Sequence, residues 1–420
     1  MLVRKARSAV RLASHKGGRA ATRVGNLSKK RARHLGTRLN RIGRIALEKL
    51  KNARLTTMNL SRLAVRRALS LHKPFVRMWR RNERTRQHRA AERFERDVEA
   101  RVRRTVESGR PLVFGPWFSE VGFEVLYWVP FLRWLRAEYN WDPARAVAIS
   151  RGGVRSWYGD LASTYVELFD HMDPDTFARR NQARRDASEG SHKQLAWSEL
   201  DHELLEYAKR TAGFEDAVVI HPSDMYQLFR NFWLGHRPVS FVEERTRHAI
   251  KTVPDTFDLS GLPREFVAVK AYTAQSLPDT AANRKVLRAL VEHLASETNV
   301  VTLDTGLRVD DHDDYRLDRH PRVFNLSGLM TPSNNLELQT QVIARARAFV
   351  GTCGSLTWLA PLLGVPTVAL MSDPRFLHAH LYYARKVYLD TGAAGFATVD
   401  VTAIELLKMV QEVQKVQEVR

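Results

Sequence analysis

From Arg110 onward, short apolar runs alternate with helix-length amphipathic segments, and this alternation constrains the fold more than any other feature of the sequence. The runs predict strands over Leu112–Gly115, Ala146–Ser150, Ala217–Ile220, Phe266–Ala271, Val300–Asp304, Val323–Leu326, Ala348–Gly351 and Thr367–Leu370. Helical patterns fall between most of them, over Val121–Tyr139, Asp160–Asp170, Glu199–Thr211, Arg284–Ser296, Asn335–Arg347 and Leu356–Leu363. A parallel strand needs a long crossover back to the same edge of the sheet, so this rhythm specifies parallel sheets with helices on both faces. The stretch from Pro238 to Pro263 has weak periodicity and several prolines, and it divides the set in two. The expected architecture is therefore α/β: two Rossmann-like, doubly wound domains over 110–255 and 256–420. Ligands then belong where the carboxyl ends of the strands open into the cleft between them.

Residues 1–109 form a different kind of segment. Residues 1–110 hold 33 Lys or Arg against 7 Asp or Glu, while the remainder holds 34 against 39. The basic excess thus belongs to a basic N-terminal extension, helical or disordered, whose first acidic residue is Glu48. From Trp79 to Thr105 mixed charges predict an exposed, salt-bridged helix. A basic face of this kind fits an anionic membrane surface, through residues 1–105, or a solvated tail. Nucleic acid fits less well, because no aromatic residue precedes Phe75 to stack on a base. Arg-rich, acid-poor starts also occur in transit peptides, though this one is long for that role. The single cysteine, Cys353, excludes an intramolecular disulfide and suits a cytoplasmic location, with peripheral contact at the inner face of the cell membrane. The most apolar stretch, Phe349 to Met371, is broken by Gly351, Gly354, Pro361, Gly364 and Pro366 and reads as strand, turn, helix and strand rather than a membrane span.

Two strand ends on the N-terminal side carry candidate chemistry. "FGPWFSEVGFE" leaves its strand through Gly115 and Pro116, and Ser119 is placed to cap the next helix, with Gly122 allowing close backbone approach in its first turn. Glu120 then stands at the tip of the turn as a candidate general base, whereas Glu124 equally fits a helix-dipole role. Trp117, Phe118, Tyr127 and Trp128 either wall a sugar-sized pocket or form core. His221, in "IHPSDMYQLF", ends another strand and reads either as a base or as a hydrogen-bonded turn residue.

The segment "AFVGTCGSLTWLAPLLGVPTVALMS" places a small-residue loop, Gly351 to Ser355, between a strand and a helix, where backbone amides can receive an anion. Thr352, Ser355 and Thr357 add hydroxyl groups. This stretch resembles the donor-binding domain of GT-B-type glycosyltransferases, in particular the heptosyltransferase-like group, with its glycine-rich loop, helix and "LG-P-T-AL" strand. Residues 111–400 also resemble bacterial proteins carrying "GPW-EVGFE" and "HPS-MY" segments. The resemblance implies an enzyme that takes a nucleotide-diphosphate sugar as donor, without a resident cofactor or metal, and passes the sugar to a glycan or lipid-linked acceptor in polysaccharide biosynthesis. It implies that Lys270, with Thr273 and Ser276 near it, meets the diphosphate. It implies further that Gly351, Thr352, Gly354 and Ser355 contact phosphate or ribose. Thr305 and Gly306 close another strand at the cleft, and Glu337 matches a ribose-holding position that helix capping explains equally well. Thr352 and Cys353 stand where that family commonly has an acidic residue. Two other functions share the layout, a sugar-nucleotide 2-epimerase and a non-catalytic nucleotide-sugar sensor with a membrane- or RNA-binding tail.

Cys353 reads as a thiol nucleophile at a helix start or, more simply, as a small buried residue. Asp310, Asp311, His312, Asp313 and Asp314 form an oxygen-rich loop that lacks the glycine of a sharp calcium loop and reads as solvated.

Overall fold

The computed structural model describes residues 86, 88–188, 193–307, 313–315, 320–375 and 377–404. The chain divides into Met1–Gln87 and a compact unit, His88–Arg420, and the account that follows concerns the second. The expectations for the basic segment up to residue 85 lie outside the described residues.

Ten strands build two sheets: β1 Leu112–Phe114, β2 Ala146–Ser150, β3 Thr164–Glu167 and β4 Val218–Ile220 in one, β5 Phe266–Lys270, β6 Asn299–Thr302, β7 Val323–Asn325, β8 Ala348–Thr352, β9 Thr367–Met371 and β10 Phe396–Asp400 in the other. Their orders are β3-β2-β1-β4 and β10-β9-β8-β5-β6-β7, and all the pairings are parallel. Counted from β5, the larger sheet runs 3-2-1-4-5-6, the doubly wound dinucleotide-binding order, and the smaller runs 3-2-1-4. The α/β expectation holds. The strand order of each sheet reverses once, between β1 and β4 and between β5 and β8, so the switch points lie at Gly115 and His221 and at Lys270 and Gly351.

Two segments differ from the sequence expectation. Asp160–Asp170, read as helical, contains β3, because Thr164, Tyr165 and Val166 favour a pleated surface and β2 offers a parallel edge. Leu356–Leu363 is not an α-helix but two 3₁₀ turns, Ser355–Thr357 and Ala360–Leu363, kept short by Pro361 and ended by Gly364 at φ 80°.

Residues 88–107 form a helix. Its sequence predicted an exposed, salt-bridged element, yet Val98, Val102 and Val106 are buried in the core. Those valines recur every four residues and make a narrow apolar stripe within the charge. Besides the His88–Glu92 contact along the helix, its ions pair outward: Glu95 with Arg237, Glu99 with Arg245, and Arg101 with Asp224. Deletion of residues 1–87 should therefore leave a cooperatively folding protein, whereas deletion of 1–107 should lower the unfolding midpoint sharply. Thermal unfolding of the two truncations checks this, and equal midpoints would show that the helix contributes nothing to the core.

One hydrophobic cluster runs through both halves, from Val98, Phe114, Trp128 and Ile220 to Phe266, Val342, Phe349 and Tyr383. Among the described residues, no helix is long and apolar enough to cross a membrane.

Candidate functional site

The turn after β1 is built by glycine. Gly115 sits at φ 116°, and a Cβ there would lie 2.4 Å from the Ile149 carbonyl oxygen. Its amide and that of Trp117 bond the carbonyls of Ile220 and Ile149, which fastens the turn to both neighbouring strands. Ser119, expected as the helix cap, instead bonds the Tyr226 hydroxyl at 2.7 Å. Glu120 occupies the N-cap position: its backbone is extended and its carbonyl accepts from the amides of Phe123 and Glu124, but its side chain makes no capping bond. Its carboxylate is exposed and lines a cleft of about 670 Å³.

Glu124 has the opposite fate. It is completely buried and accepts from Ser150 Oγ and the Tyr158 hydroxyl, both at 2.6 Å on Oε1. Its Oε2 has no hydrogen-bond partner among the described residues. Burial pushes this carboxyl up to about 7, against the pull of Ser150, Tyr158 and Arg151. A raised folded-state value means that its contribution to stability is complete below about 4.5 and is lost as pH rises through about 7. Glu124→Gln stays neutral, so relative to wild type it should gain stability at pH 8 over pH 5, read from urea midpoints. Buried Glu167, also held near 7 by burial, keeps its own share of the pH dependence in both proteins. An identical wild-type-to-variant difference at the two pH values would show that Glu124 titrates as an ordinary carboxylate.

The cleft lies between the carboxyl ends of the two sheets. Ser119 to Phe123 and Arg151 contribute from the N-terminal half, Tyr272 to Ser276 and Cys353 to Ser355 from the C-terminal half. Gly122 brings the halves together, since a Cβ there would stand 2.9 Å from the Ser355 amide. This is the close approach expected of that glycine. Among the described residues, two cations line the cleft. Arg151, 4% exposed at the end of β2, donates through Nη2 to the Ser119 carbonyl at 2.9 Å. Lys193 lies 4.7 Å from the Trp233 ring centroid and 5.2 Å from that of Phe123, and its pKa is lowered by burial, with the Glu120 carboxylate opposing. His380 joins them, bonded through Nδ1 to the Tyr127 hydroxyl at 2.7 Å. None of these three was anticipated. Arg151 had a signal in "ISRGG", a basic residue at a strand end before two glycines, whereas Lys193 and His380 reach the cleft only through tertiary packing.

The sequence candidates separate into groups. Thr273, Ser276, Gly354 and Ser355 line the cleft with Glu120. Lys270 and Thr305 instead line an adjoining cavity of about 70 Å³, together with Arg151 and Ser355. There Lys270 Nζ pairs with Asp314 at 2.6 Å and donates to the Leu303 carbonyl, and the Thr305 amide donates to the same aspartate. Gly306 makes the turn after Thr305 at φ 65°. Gly351 is a packing residue, because a Cβ would meet the Lys270 carbonyl at 2.7 Å.

Three further candidates line neither cavity. His221 is wholly buried and lines neither cavity; Nε2 bonds Asp201 at 2.8 Å, Nδ1 bonds Ser223 Oγ at 2.8 Å, and the ring stacks on Trp197. Nδ1 caps the helix Pro222–Trp233 by accepting from the Ser223 amide, and Nε2 is held by Asp201 in the helix Glu199–Ala212, so both nitrogens are engaged within the fold. Thr352 is also fully buried, its hydroxyl donating to the Tyr272 carbonyl and accepting from the Tyr272 amide. Glu337 lines neither cavity but joins the halves, accepting from Ser156 Oγ at 2.7 Å and from Gln341 Nε2. The anion site expected at the loop's helix start also changes, because a three-residue 3₁₀ turn replaces the helix. Within that loop the Cys353 amide bonds Leu370 O and the Gly354 amide bonds Thr357 Oγ1. Cys353 is the small buried residue of its simpler reading, and burial pushes its thiol up to about 12. Asp310, Asp311 and His312 lie outside the described residues, and no cluster of three metal-ligating side chains occurs among those described.

No protein-family model and no curated protein matches the chain. Solved structures do align with it. A glycosyl transferase family 9 protein from Veillonella parvula is 12% identical with a TM-score of 0.37, over 72% of this chain and 89% of that one. The E. coli heptosyltransferase WaaC with ADP is 13% identical at 0.36, over 72% and 99%. E. coli ADP-heptose LPS heptosyltransferase II is 13% identical at 0.33, over 63% and 86%. The chain is similar to these enzymes in layout only.

Proposed function

We propose that this chain is a glycosyltransferase that moves a sugar from a nucleotide-diphosphate donor to a glycan or lipid-linked acceptor. The observation that carries the reading is the roomy cleft at the carboxyl ends of both parallel sheets, with an exposed carboxylate, Glu120, and two cations in its wall. In the reaction Glu120 takes the proton of an acceptor hydroxyl, the freed oxygen pair forms the bond to the anomeric carbon, and the bond from that carbon to the diphosphate oxygen breaks. The nucleoside diphosphate leaves with that electron pair. Its negative charge is met by Arg151 and Lys193, and cations aimed at charge that develops on the leaving group lower the barrier. Lys270 serves the diphosphate from the adjoining cavity, exchanging part of its contact with Asp314 for phosphate. No resident metal or cofactor enters this reading, and EDTA should leave transfer unchanged.

The test is a panel of nucleotide sugars with product analysis. Release of nucleoside diphosphate that depends on an added glycan acceptor is expected; a donor sugar inverted at C2 without acceptor would indicate an epimerase, and no binding by any nucleotide sugar would defeat both. Lys270→Ala should weaken UDP, GDP or ADP, whichever binds, by about 10- to 100-fold, the scale of a charge-assisted contact to phosphate. Unchanged affinity in calorimetry removes Lys270 from the site. For the basic extension we propose contact with an anionic membrane surface at the cytoplasmic face. Full-length protein should sediment with phosphatidylserine vesicles and the 1–87 deletion should not; retention of the extension on RNA but not on vesicles would reverse that assignment.

A further inference from the structure

The cleft has an aromatic end that the transfer chemistry leaves unassigned. Phe123, Leu126 and Tyr127 line it from the N-terminal half, and Leu377 and His380 from the C-terminal half. The His380 ring meets Phe123 edge-on at 5.1 Å and Tyr127 at 5.6 Å. Apolar walls with a few fixed polar groups are the usual composition of a small-ligand site, and the polar groups decide orientation.

The proton positions at His380 follow from its neighbours. The Tyr127 hydroxyl is buried, and burial raises its pKa well above the usual value, so it keeps its proton. Its one hydrogen must go to an acceptor, and the nitrogen 2.7 Å away is His380 Nδ1. Were Nδ1 to carry a proton, that buried O–H would have no acceptor among the described residues, which costs more than leaving an oxygen lone pair unused. Nδ1 is therefore the acceptor, and the ring's single hydrogen is on Nε2. Burial, and after it the nearby Lys193 charge, lowers the His380 pKa to about 4, which favours a neutral ring at pH 7. No group of the described residues bonds Nε2. The outcome is an uncharged N–H donor, fixed in direction, beside an aromatic wall.

We propose that His380 is a binding residue for a pyranose ring, its Nε2–H donating to a sugar hydroxyl oxygen while the ring's C–H face lies against Phe123. That this sugar is the acceptor rests on the transferase reading; the contact itself does not. The experiment uses the full chain labelled with ¹⁵N-histidine, with the His380 signal assigned by its loss in His380→Gln. At pH 7 the wild type should show the Nε2–H tautomer, and Tyr127→Phe should convert it to a mixture. Methyl α-glycosides of glucose, galactose and mannose are then titrated. At least one should move the Nε2–H signal, with about 3- to 10-fold weaker binding in His380→Ala. His380→Gln, whose amide nitrogen reaches the same place, should bind within about threefold of wild type. A charged ring or an Nδ1–H tautomer at pH 7 overturns the proposal, as does a tautomer indifferent to Tyr127→Phe or a signal that no glycoside moves. Failure of nucleotide binding with the glycoside contact intact would defeat the transferase reading alone, and the converse would defeat this proposal alone.

Discussion

Glu120→Gln is expected to lower sugar transfer by about 10²–10⁴-fold, the contribution usual for a positioned base, while leaving nucleotide affinity unchanged. The exchange is isosteric, and the helix start does not depend on the side chain, because its capping bonds run through the Glu120 carbonyl. A loss of rate here therefore reports on chemistry rather than on folding. Glu124→Gln is the matched control, one helical turn away and shut off from the cleft, and it should change stability more than rate. Transfer at the wild-type rate in Glu120→Gln would assign the base elsewhere in the cleft and reduce this residue to its place in the turn.

His221→Ala should have a large effect of the other kind. Asp201 is buried and accepts from His221, from the amide and hydroxyl of Ser198, and from Gln194. Burial alone would raise its carboxyl, yet the His221 bond and the Ser198 bonds hold it below the ordinary range. Removing the imidazole strips a charge-assisted bond from a carboxylate that has no route to water and opens a hole beneath Trp197. The expected cost is about 3 kcal/mol of unfolding free energy, from the loss of a buried partner to a charge. Urea denaturation measures it. Below the unfolding transition the surviving folded protein should keep a near-normal rate in the proposed transfer, and a folded but inactive variant would return His221 to the reaction.

These two residues show where sequence reasoning reaches its limit. Both follow strands at the carboxyl edge of the smaller sheet, His221 directly after β4 and Glu120 at the end of the turn after β1, and that much follows from alternation and the glycine and proline signals around them. Which one faces the cleft does not, because it depends on the rotation of the helix after each strand and on partners 20 or more positions away, Asp201 for His221 and Tyr226 for Ser119. Thr352 and Glu337 show the same limit: their polar atoms bond Tyr272 and Ser156, which lie far off in the chain. The strands were legible because burial on both faces leaves nearly continuous apolar runs. β3 was not, since Thr164–Glu167 carries the same apolar spacing as a short helix and only the free edge of β2 decides between them. Arg151 follows a strand end directly, but "RGG" by itself carries no chemistry, and only the packing of the two halves makes it a wall of the cleft.

The hydrophobic cluster that runs through both sheets has a consequence for how the protein folds. Residues such as Trp128, Val342 and Tyr383 belong to one apolar interior, with backbone-level approaches at Gly122 and at Gly153, where a Cβ would be 2.7 Å from the Ser333 carbonyl. A chain cut in the 238–263 segment would leave each half with an open apolar face where the other had been, so neither is equipped to stand alone in water. Heating should therefore melt the two sheets in one transition.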